Sequence, residues 1–338
     1  MKDRQTKKSW RAHKNFEIQI KNEKLFDEIV SLENLFEAWK EFGRGKGRKL
    51  EVQQFELHLE DNIFALHNDL MKGAYCHGPY QSFYVCDPKR RHIHKPSVRD
   101  RLLHYAIFRI LEPLFDRVFI YDVWSCRKEK GTHGAVKRFQ KIAWKLSRNN
   151  TRPVWVLKMD IEQYFANVDQ EILLNLLARK ITDKKCLDLL RIVIKSFSQG
   201  IPLGNLTSQL FANVYLNELD RFITHNLRLK FYSRYGDDFM VLHKNRSILI
   251  NLIPTIRNFL SNALKLVLHP QKIILSPYHK GIDFLGFVCF PFYRVLRTKT
   301  KKRLLAKVAD NNLPSSLGLL KHCRSWKILN QVMLKIQT

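Results

Sequence analysis

Three aspartates occupy positions at which acidic side chains are hard to explain by folding alone. Asp237 and Asp238 are adjacent in the string YGDD between two apolar segments, and Asp160 ends a short β-branched stretch. Adjacent carboxylates at a tight turn repel each other, and one Asp with one Gly would be sufficient for the turn. A divalent cation removes this repulsion, and Mg²⁺ prefers a few carboxylates together with phosphate oxygens of a substrate. The pattern is typical of two-metal phosphoryl transfer, with two Mg²⁺ ions as the expected cofactor and Mn²⁺ as an alternative.

The elements around these acids predict how they come together. Three strands are predicted over residues 153–161, 230–234 and 239–243, with YGDD as the turn between the last two. Asp169 is expected to cap one helix, and two further helices are predicted after the loop at 200–205 and over residues 248–264. A strand-like segment at 266–268 and a Gly-bounded strand pair within 281–296 follow. This order predicts a split βαβ arrangement with an antiparallel sheet, and therefore an α+β fold.

The charge of the chain indicates a polyanionic partner. Its 338 residues include 59 Lys and Arg against 31 Asp and Glu, a net charge of +28. Nucleic acid is the favoured partner because each neutralised phosphate releases counterions, while an acidic protein or a membrane surface would be the alternatives. The basic residues cluster at 1–14, 89–101, 127–148 and 294–338, around a nearly balanced stretch at 154–193. Ordinary solvated faces are the other interpretation of any single cluster.

Several classes of protein are excluded by composition and spacing. No apolar stretch approaches the roughly 18 residues of a membrane span, so we expect a cytoplasmic protein with no membrane partner. The six cysteines are irregularly spaced and indicate neither a disulfide framework nor a zinc ribbon. The basic loop Gly43–Gly47 lacks the spacing of a phosphate-binding loop and is interpreted as a mobile linker.

Motifs between about Leu70 and Leu296 resemble those of bacterial reverse transcriptases. RRHIHKPSVRDRLLHYAI and WSCRKEKGTHGAVKRF resemble two fingers motifs; LKMDIEQYF, FYSRYGDDFMVL and LHPQKI resemble the catalytic motifs, and IDFLGF resembles the primer-grip hairpin. The resemblance implies a right-hand polymerase fold with fingers, a ferredoxin-like palm and a short helical thumb. It further implies an RNA-directed DNA polymerase that binds template RNA, the cDNA or primer strand, and dNTPs. The expected domains are an N-terminal basic arm and helical region (1–72), fingers (73–153), a palm with the YGDD hairpin and primer grip (154–296) and a minimal thumb (297–338).

The resemblance also assigns roles to individual residues. Asp160, Asp237 and Asp238 would be catalytic and would bind metal together with Ile161, and Lys272 falls on the lysine proposed to protonate the leaving pyrophosphate. The nucleotide-binding candidates are Arg91, Lys95, Arg99, Phe165, Leu203 and Gly204. The template and primer candidates are Arg127, Gly131, Ser208, Gln209, Leu285 and Gly286. Generic backbone-facing basic residues are the alternative for the three fingers cations.

Phe165 distinguishes two classes of polymerase. RNA-virus RNA polymerases typically carry a polar residue five positions after the first catalytic Asp, whereas reverse transcriptases carry an aromatic ring that leaves no room for a ribose 2′-hydroxyl. The Gly of YGDD departs from the Ala or Met that is common in reverse transcriptases and resembles the viral enzymes. Phe165 outweighs it because a steric gate acts directly on sugar choice, while Gly236 mostly affects the turn. An ordinary core aromatic is the alternative for Phe165.

The loop LGNLTSQ, residues 203–209, indicates the subfamily. Group II intron enzymes have QGxxxSP here, and the replacement of Gln by Leu203 and of Pro by Gln209 resembles the reverse transcriptases of diversity-generating retroelements. Those enzymes copy a template RNA with frequent errors at adenine and work with an oligomeric accessory variability protein, which the resemblance implies as a partner in a prokaryotic cell or phage. Antiviral retron or abortive-infection reverse transcriptases remain an alternative. A catalytically inactive RNA-binding scaffold is a further one.

Overall fold

The structure, a computed structural model, describes residues 23–86, 89–309 and 312–337. The basic arm predicted over residues 1–14 lies outside them. The N-terminal helices α1 to α4 cover Leu25–Val30, Leu32–Gly43, Leu50–Glu56 and Leu59–Met71. The basic loop between α2 and α3 was predicted to be a linker, but Lys46 Nζ donates to the carbonyl of Phe42 at 2.7 Å and to the hydroxyl of Tyr105 at 3.2 Å. The linker interpretation is therefore wrong, because the loop contacts Tyr105, which lies 59 residues further along the chain.

The segment expected to form the fingers contains a hairpin and two helices. Strands β1 (Gln81–Val85) and β2 (Arg91–Lys95) pair antiparallel, and helices α5 (Val98–Asp116) and α6 (Thr132–Leu146) follow. Ser97 caps α5 by accepting a hydrogen bond from the backbone N–H of Asp100. Helix α5 packs between α2 and the later helix Leu206–Arg221 and therefore connects the N-terminal layer with the site described below.

The sheet that carries the predicted acids has four antiparallel strands. They are β3 (Trp155–Asp160), β4 (Tyr232–Tyr235), β5 (Asp238–His243) and β6 (Ile274–Pro277), in the spatial order β4-β5-β3-β6. The strand predicted at 266–268 is wrong, because Leu268 makes only an isolated bridge to Ile161. The edge strand is β6 instead, whose apolar alternation is weak and whose Pro277 is tolerated because an edge position requires fewer ladder bonds.

Five helices accompany this sheet: α7 (Tyr164–Asn167), α8 (Gln170–Ala178), α9 (Lys184–Lys195), α10 (Leu206–Arg221) and α11 (Arg246–Leu264). The predicted cap of α8 is confirmed, since Asp169 accepts a hydrogen bond from the N–H of Ile172 at 2.9 Å. Both faces of the sheet are buried. Leu157 and Phe239 face one hydrophobic core, shared with α5 and α10, while Val156 and Met240 face a second one, shared with α6. The period-2 alternation of strand side chains produces this division.

The C-terminal elements complete the second core. A small antiparallel sheet contains β7 (Ile282–Phe284), β8 (Phe287–Cys289) and β9 (Arg294–Leu296), and helices α12 (Thr298–Lys307), α13 (Leu313–Leu320) and α14 (Trp326–Gln337) follow. A strand pair was predicted here, and β9 is the strand that was missed. It is only three residues long, too short for a visible alternation. None of the helices in the described part of the chain combines the length and apolarity that a membrane span needs.

Candidate active site

The strand register brings two of the three predicted acids side by side. Asp160, the last residue of β3, is paired with Asp238, the first residue of β5, and Asp238 is also paired with Tyr235 across the hairpin turn. Gly236 has φ of 65°, a value that glycine adopts freely at the first central position of a type II′ hairpin. Asp237 follows it in the turn. The predicted hairpin is confirmed, and it places the acids at one end of the sheet.

Two lysines neutralise these carboxylates. Lys272 Nζ lies 2.8 Å from Asp160 Oδ1, and Lys158 Nζ lies 3.0 Å from Asp238 Oδ2. Lys158 also donates to the carbonyl of Asp283 in β7 at 3.0 Å, so it joins the acidic end of the sheet to the small C-terminal sheet. Lys158 was missed in the sequence, although it stands two residues before Asp160 and strand periodicity places both on one face.

Burial and mutual repulsion make the two turn acids, Asp237 and Asp238, resist ionisation. Burial raises the pKa of Asp238 to about 6, with the charges of Asp160 and Asp237 acting in the same direction and Lys158 opposing them. Burial also raises the pKa of Asp237, with Asp160 reinforcing the effect and Lys272 and Arg91 opposing it. Among the residues described, Asp238 Oδ1 is a buried acceptor that receives no hydrogen bond. Crowded carboxylates with a vacant acceptor are the arrangement that a cation stabilises.

The donor set fits a hard divalent cation in its chemistry, since carboxylate oxygens are the ligands that Mg²⁺ prefers. Within the described ranges, however, no three His, Cys, Asp or Glu side chains are grouped closely enough to hold one ion. Lys272 and Lys158 supply the compensating charge instead. Binding of an ion therefore requires these side chains to rotate toward a common point.

Comparison with known proteins establishes the family. A family model described as "Reverse transcriptase (RNA-dependent DNA polymerase)" matches residues 86–289, more than half of the chain. The chain belongs to the reverse transcriptase family. It is therefore an RNA-directed DNA polymerase, of a family that normally uses divalent metal ions.

Two curated relatives and one solved structure are similar to this reverse transcriptase. It is 25% identical to "Protein YkfC" of Escherichia coli K12, over 73% of this chain and 74% of that protein. It is 29% identical to "Group II intron-encoded protein LtrA" of Lactococcus lactis subsp. cremoris, over 77% of this chain but 54% of that protein, so it spans about half the length of that relative. The Candida albicans telomerase complex has a TM-score of 0.51 at 11% identity, covering 77% of this chain and 55% of that one. That likeness supports the α+β right-hand polymerase fold.

The three fingers cations of the reverse transcriptase point in different directions. Arg91, in β2, is close enough for its charge to lower the pKa of Asp237. Lys95 instead lies 2.5 Å from Glu51, and Arg99 lies 2.6 Å from Asp69, both acids of the N-terminal helices. The structure therefore brings Arg91 toward the YGDD turn, whereas Lys95 and Arg99 bind the N-terminal layer.

Phe165 is partly buried and is the last residue of the segment LKMDIEQYF, with its backbone fixed by the next loop. Its carbonyl accepts a hydrogen bond from the N–H of Ile201 at 2.9 Å. Gly200 has φ of 68°, and a Cβ atom there would lie 2.3 Å from the carbonyl oxygen of Phe165. Gly200 is therefore required for this close approach, a role that the sequence did not reveal.

The loop at residues 203–209 is held by the β1–β2 hairpin. The N–H of His94 donates to the carbonyl of Leu203 at 2.9 Å, and Leu203 itself is half-buried. A Cβ atom on Gly204, whose φ is 117°, would lie 2.9 Å from Ile93 Cγ2. Leu203 and Gly204 therefore lie directly against β2, in a backbone contact between the segments expected to form the fingers and the palm.

A cavity of about 280 Å³ opens where the N-terminal loop, the fingers hairpin and this palm loop meet. Its lining combines cations, among them Lys46, Lys49 and Arg101, with Gly204 and Gln209. Ser208 is buried one position earlier in α10. Gln209 therefore reaches the shared cavity, while Ser208 faces the packed interior.

The remaining template and primer candidates have structural partners. Arg127 is almost fully buried, pairs with Asp116 and donates to the carbonyl of Ile120 at 2.8 Å. Gly131 precedes α6 as its N-cap residue. Leu285 and Gly286 form the turn between β7 and β8, both with positive φ.

Proposed function

We propose that this reverse transcriptase copies a template RNA into cDNA by two-metal phosphoryl transfer, as part of a diversity-generating retroelement. The assignment to this subfamily rests on Leu203 in the loop LGNLTSQ. Leu203 is half-buried, and its carbonyl is held by the β1–β2 hairpin. A Gln at this position could constrain the nascent base pair by hydrogen bonding, and such polar recognition discriminates strongly. Leu203 offers only packing, so errors opposite template adenine are the expected result.

Asp160, Asp237 and Asp238 are proposed to hold two Mg²⁺ ions, with Ile161 as a further ligand. When bound, the ions would activate a primer hydroxyl and neutralise charge on the leaving pyrophosphate. Support comes from the strand pairing of Asp160 with Asp238, the raised pKa of both turn acids and the vacant acceptor on Asp238. Lys272, at hydrogen-bond distance from Asp160, is proposed to donate the proton to pyrophosphate.

The chain is proposed to bind nucleic acid along its basic segments, in the order fingers (73–153), palm (154–296) and thumb (297–338). Arg91 and Phe165 would contact the incoming dNTP, and Gln209 would face the template from the shared cavity. The turn at Leu285 and Gly286 would hold the primer strand, supported by the link from Asp283 through Lys158 to Asp238. An oligomeric accessory variability protein is the proposed protein partner. For Arg127, Lys95 and Arg99, the ion pairs favour a structural contribution.

Primer extension on an RNA template, with sequenced products, tests the proposal. The parent should extend with dNTPs in preference to NTPs, Asp237→Ala should fall to background, and the exposed control Asp188→Ala should match the parent. Leu203→Gln should lower misincorporation opposite template adenine. An unchanged error spectrum in that variant would remove the link to diversification and favour the antiviral alternative, whereas extension by Asp237→Ala would contradict the catalytic assignment.

A further inference from the structure

A fully buried ion pair lies beneath the catalytic turn. Arg234, in β4, is 1% exposed and Asp220, at the end of α10, is 0% exposed. Arg234 Nε donates to Asp220 Oδ1 at 2.8 Å and Nη2 donates to Asp220 Oδ2 at 2.6 Å. The hydroxyl of Tyr232 donates to the same carboxylate at 2.6 Å. The pair is bidentate, and its acid accepts three hydrogen bonds.

The remaining arm of the guanidinium reaches the turn itself. Arg234 Nη1 donates to the carbonyl of Gly236 at 3.0 Å and to Asn213 Oδ1 at 3.2 Å. The Gly236 carbonyl belongs to the peptide plane that leads into Asp237. Fixing that plane fixes the position of the Asp237 Cα atom, from which the side chain leaves the turn, because a peptide unit is rigid.

The same residue fastens a segment of the fingers to the palm. The N–H of Arg234 donates to the carbonyl of Asp122 at 2.9 Å, and the carbonyl of Arg234 accepts from the N–H of Trp124 at 3.0 Å. Asn213 Nδ2 donates to the carbonyl of Ser125 at 2.9 Å. Residues 122–125 therefore run along β4 as an additional edge, held by the backbone of Arg234 and by the side chain of Asn213.

Stability alone does not require such an arrangement. A buried ion pair can often be replaced by apolar residues of similar volume without loss of stability, because desolvation offsets most of the charge attraction. Four N–H groups of Arg234 have specified acceptors, and one of these acceptors lies in the turn. A planar fork with several fixed donors is suited to holding groups in register.

We propose that Arg234 is a positioning residue of the polymerase reaction, which locks the catalytic turn and the fingers segment 122–125 into one frame. It touches neither metal nor nucleotide; it acts through Gly236 on the placement of Asp237. This inference rests on the proposed catalytic role of Asp237.

The test separates positioning from folding by removing the whole ion pair. The double variant Arg234→Met/Asp220→Leu keeps the volume and buries no charge, so thermal unfolding should show a folded protein. Its kcat for primer extension should fall by about tenfold to about a hundredfold, the range that a small misplacement of reacting groups causes. The KM for dNTP and the Kd for primer–template should stay within about twofold, a split that a general loss of folding would not produce.

A control removes a different ion pair, which is partly exposed and joins two helices outside the catalytic turn. Arg109 in α5 pairs with Glu41 in α2, and the double variant Arg109→Met/Glu41→Leu should keep the parental kcat. If the first double variant does not fold, Arg234→Lys and Asn213→Ala decide the question. The lysine of Arg234→Lys cannot hydrogen bond to Asp220 and to the Gly236 carbonyl at the same time. Asn213→Ala removes the hydrogen bond to the Ser125 carbonyl and leaves no unpaired buried charge.

A kcat within about twofold of the parent in the folded variants overturns the positioning role. Failure of the proposed function gives a different pattern, since then the parent is inactive or Asp237→Ala remains active. Only an active parent with an inactive Asp237→Ala variant, combined with unaffected Arg234 variants, counts against the inference itself.

Discussion

Replacing His104 with Gln should make the stability of the protein less sensitive to acid. His104, in α5, is buried where α5 packs against α10, and its Nδ1 atom lies 2.5 Å from Thr207 Oγ1 in α10. Its Nε2 atom lies 3.2 Å from His77 Nε2. Burial, with the nearby His77 acting in the same direction and Asp100 opposing it, lowers the pKa of His104 from 6.5 to about 3.

The sign and size of the effect follow from that difference. Because the folded pKa lies below the unfolded one, the unfolded chain binds a proton first as the pH falls. The stability that neutral His104 contributes is complete above the unfolded pKa and is lost progressively below it. The interval from the unfolded pKa of 6.5 down to pH 5 is about 1.5 pH units. Each unit corresponds to about 1.4 kcal/mol, so the expected loss in the free energy of unfolding is about 2 kcal/mol.

Urea unfolding followed by tryptophan fluorescence, at about pH 7.5 and about pH 5, measures this loss. The parent should lose about 2 kcal/mol more than His104→Gln between the two conditions. Gln can still hydrogen bond to Thr207 but does not titrate, and any pH-independent cost of the substitution cancels in the comparison. The exposed control His279→Gln should follow the parent. Equal losses in the parent and His104→Gln would refute the reasoning.

Three further outcomes test other parts of the site. Phe165→Ala should raise ribonucleotide use in primer extension, and unchanged dNTP/NTP selectivity would contradict the gate. Lys158→Met should raise the pKa of Asp238 further, because a neighbouring cation is lost. The acid limb of the pH–rate profile should then move to higher pH. The control Lys158→Arg keeps the charge and should leave that limb in place. Gly200→Ala should cost about 1–3 kcal/mol in urea unfolding, because of its positive φ and the Phe165 carbonyl; Gly318→Ala, in a helix with open space around it, should be neutral or stabilising.

Local patterns were sufficient for the features that depend on neighbours in the chain. The YGDD hairpin, the strand ending at Asp160 and the cap at Asp169 follow from turn chemistry, strand periodicity and capping preference, and all three are confirmed. The family follows from motifs within those same elements.

Features that depend on residues distant in the sequence could not be predicted from local patterns. Lys95 and Arg99 were predicted from their sequence context to face the triphosphate, yet their nearest acids, Glu51 and Asp69, lie on helices that only the tertiary fold brings close. Strand β6 escaped prediction because an edge strand with one half-exposed face carries little alternation. The partners of Arg234 come from three separate segments, and no spacing rule links them.

The backbone hydrogen bond between His94 and Leu203 affects how segments could be exchanged with other enzymes to change copying accuracy. A loop transplanted from a group II intron enzyme into positions 203–209 would meet a fingers strand shaped for a different neighbour, because Ile93 fills the space directly against Gly204. Chimeras should therefore exchange residues 91–95 and 203–209 as one unit. Donor sequences that carry a bulkier residue than glycine at position 204 should be accepted only when a smaller residue replaces Ile93.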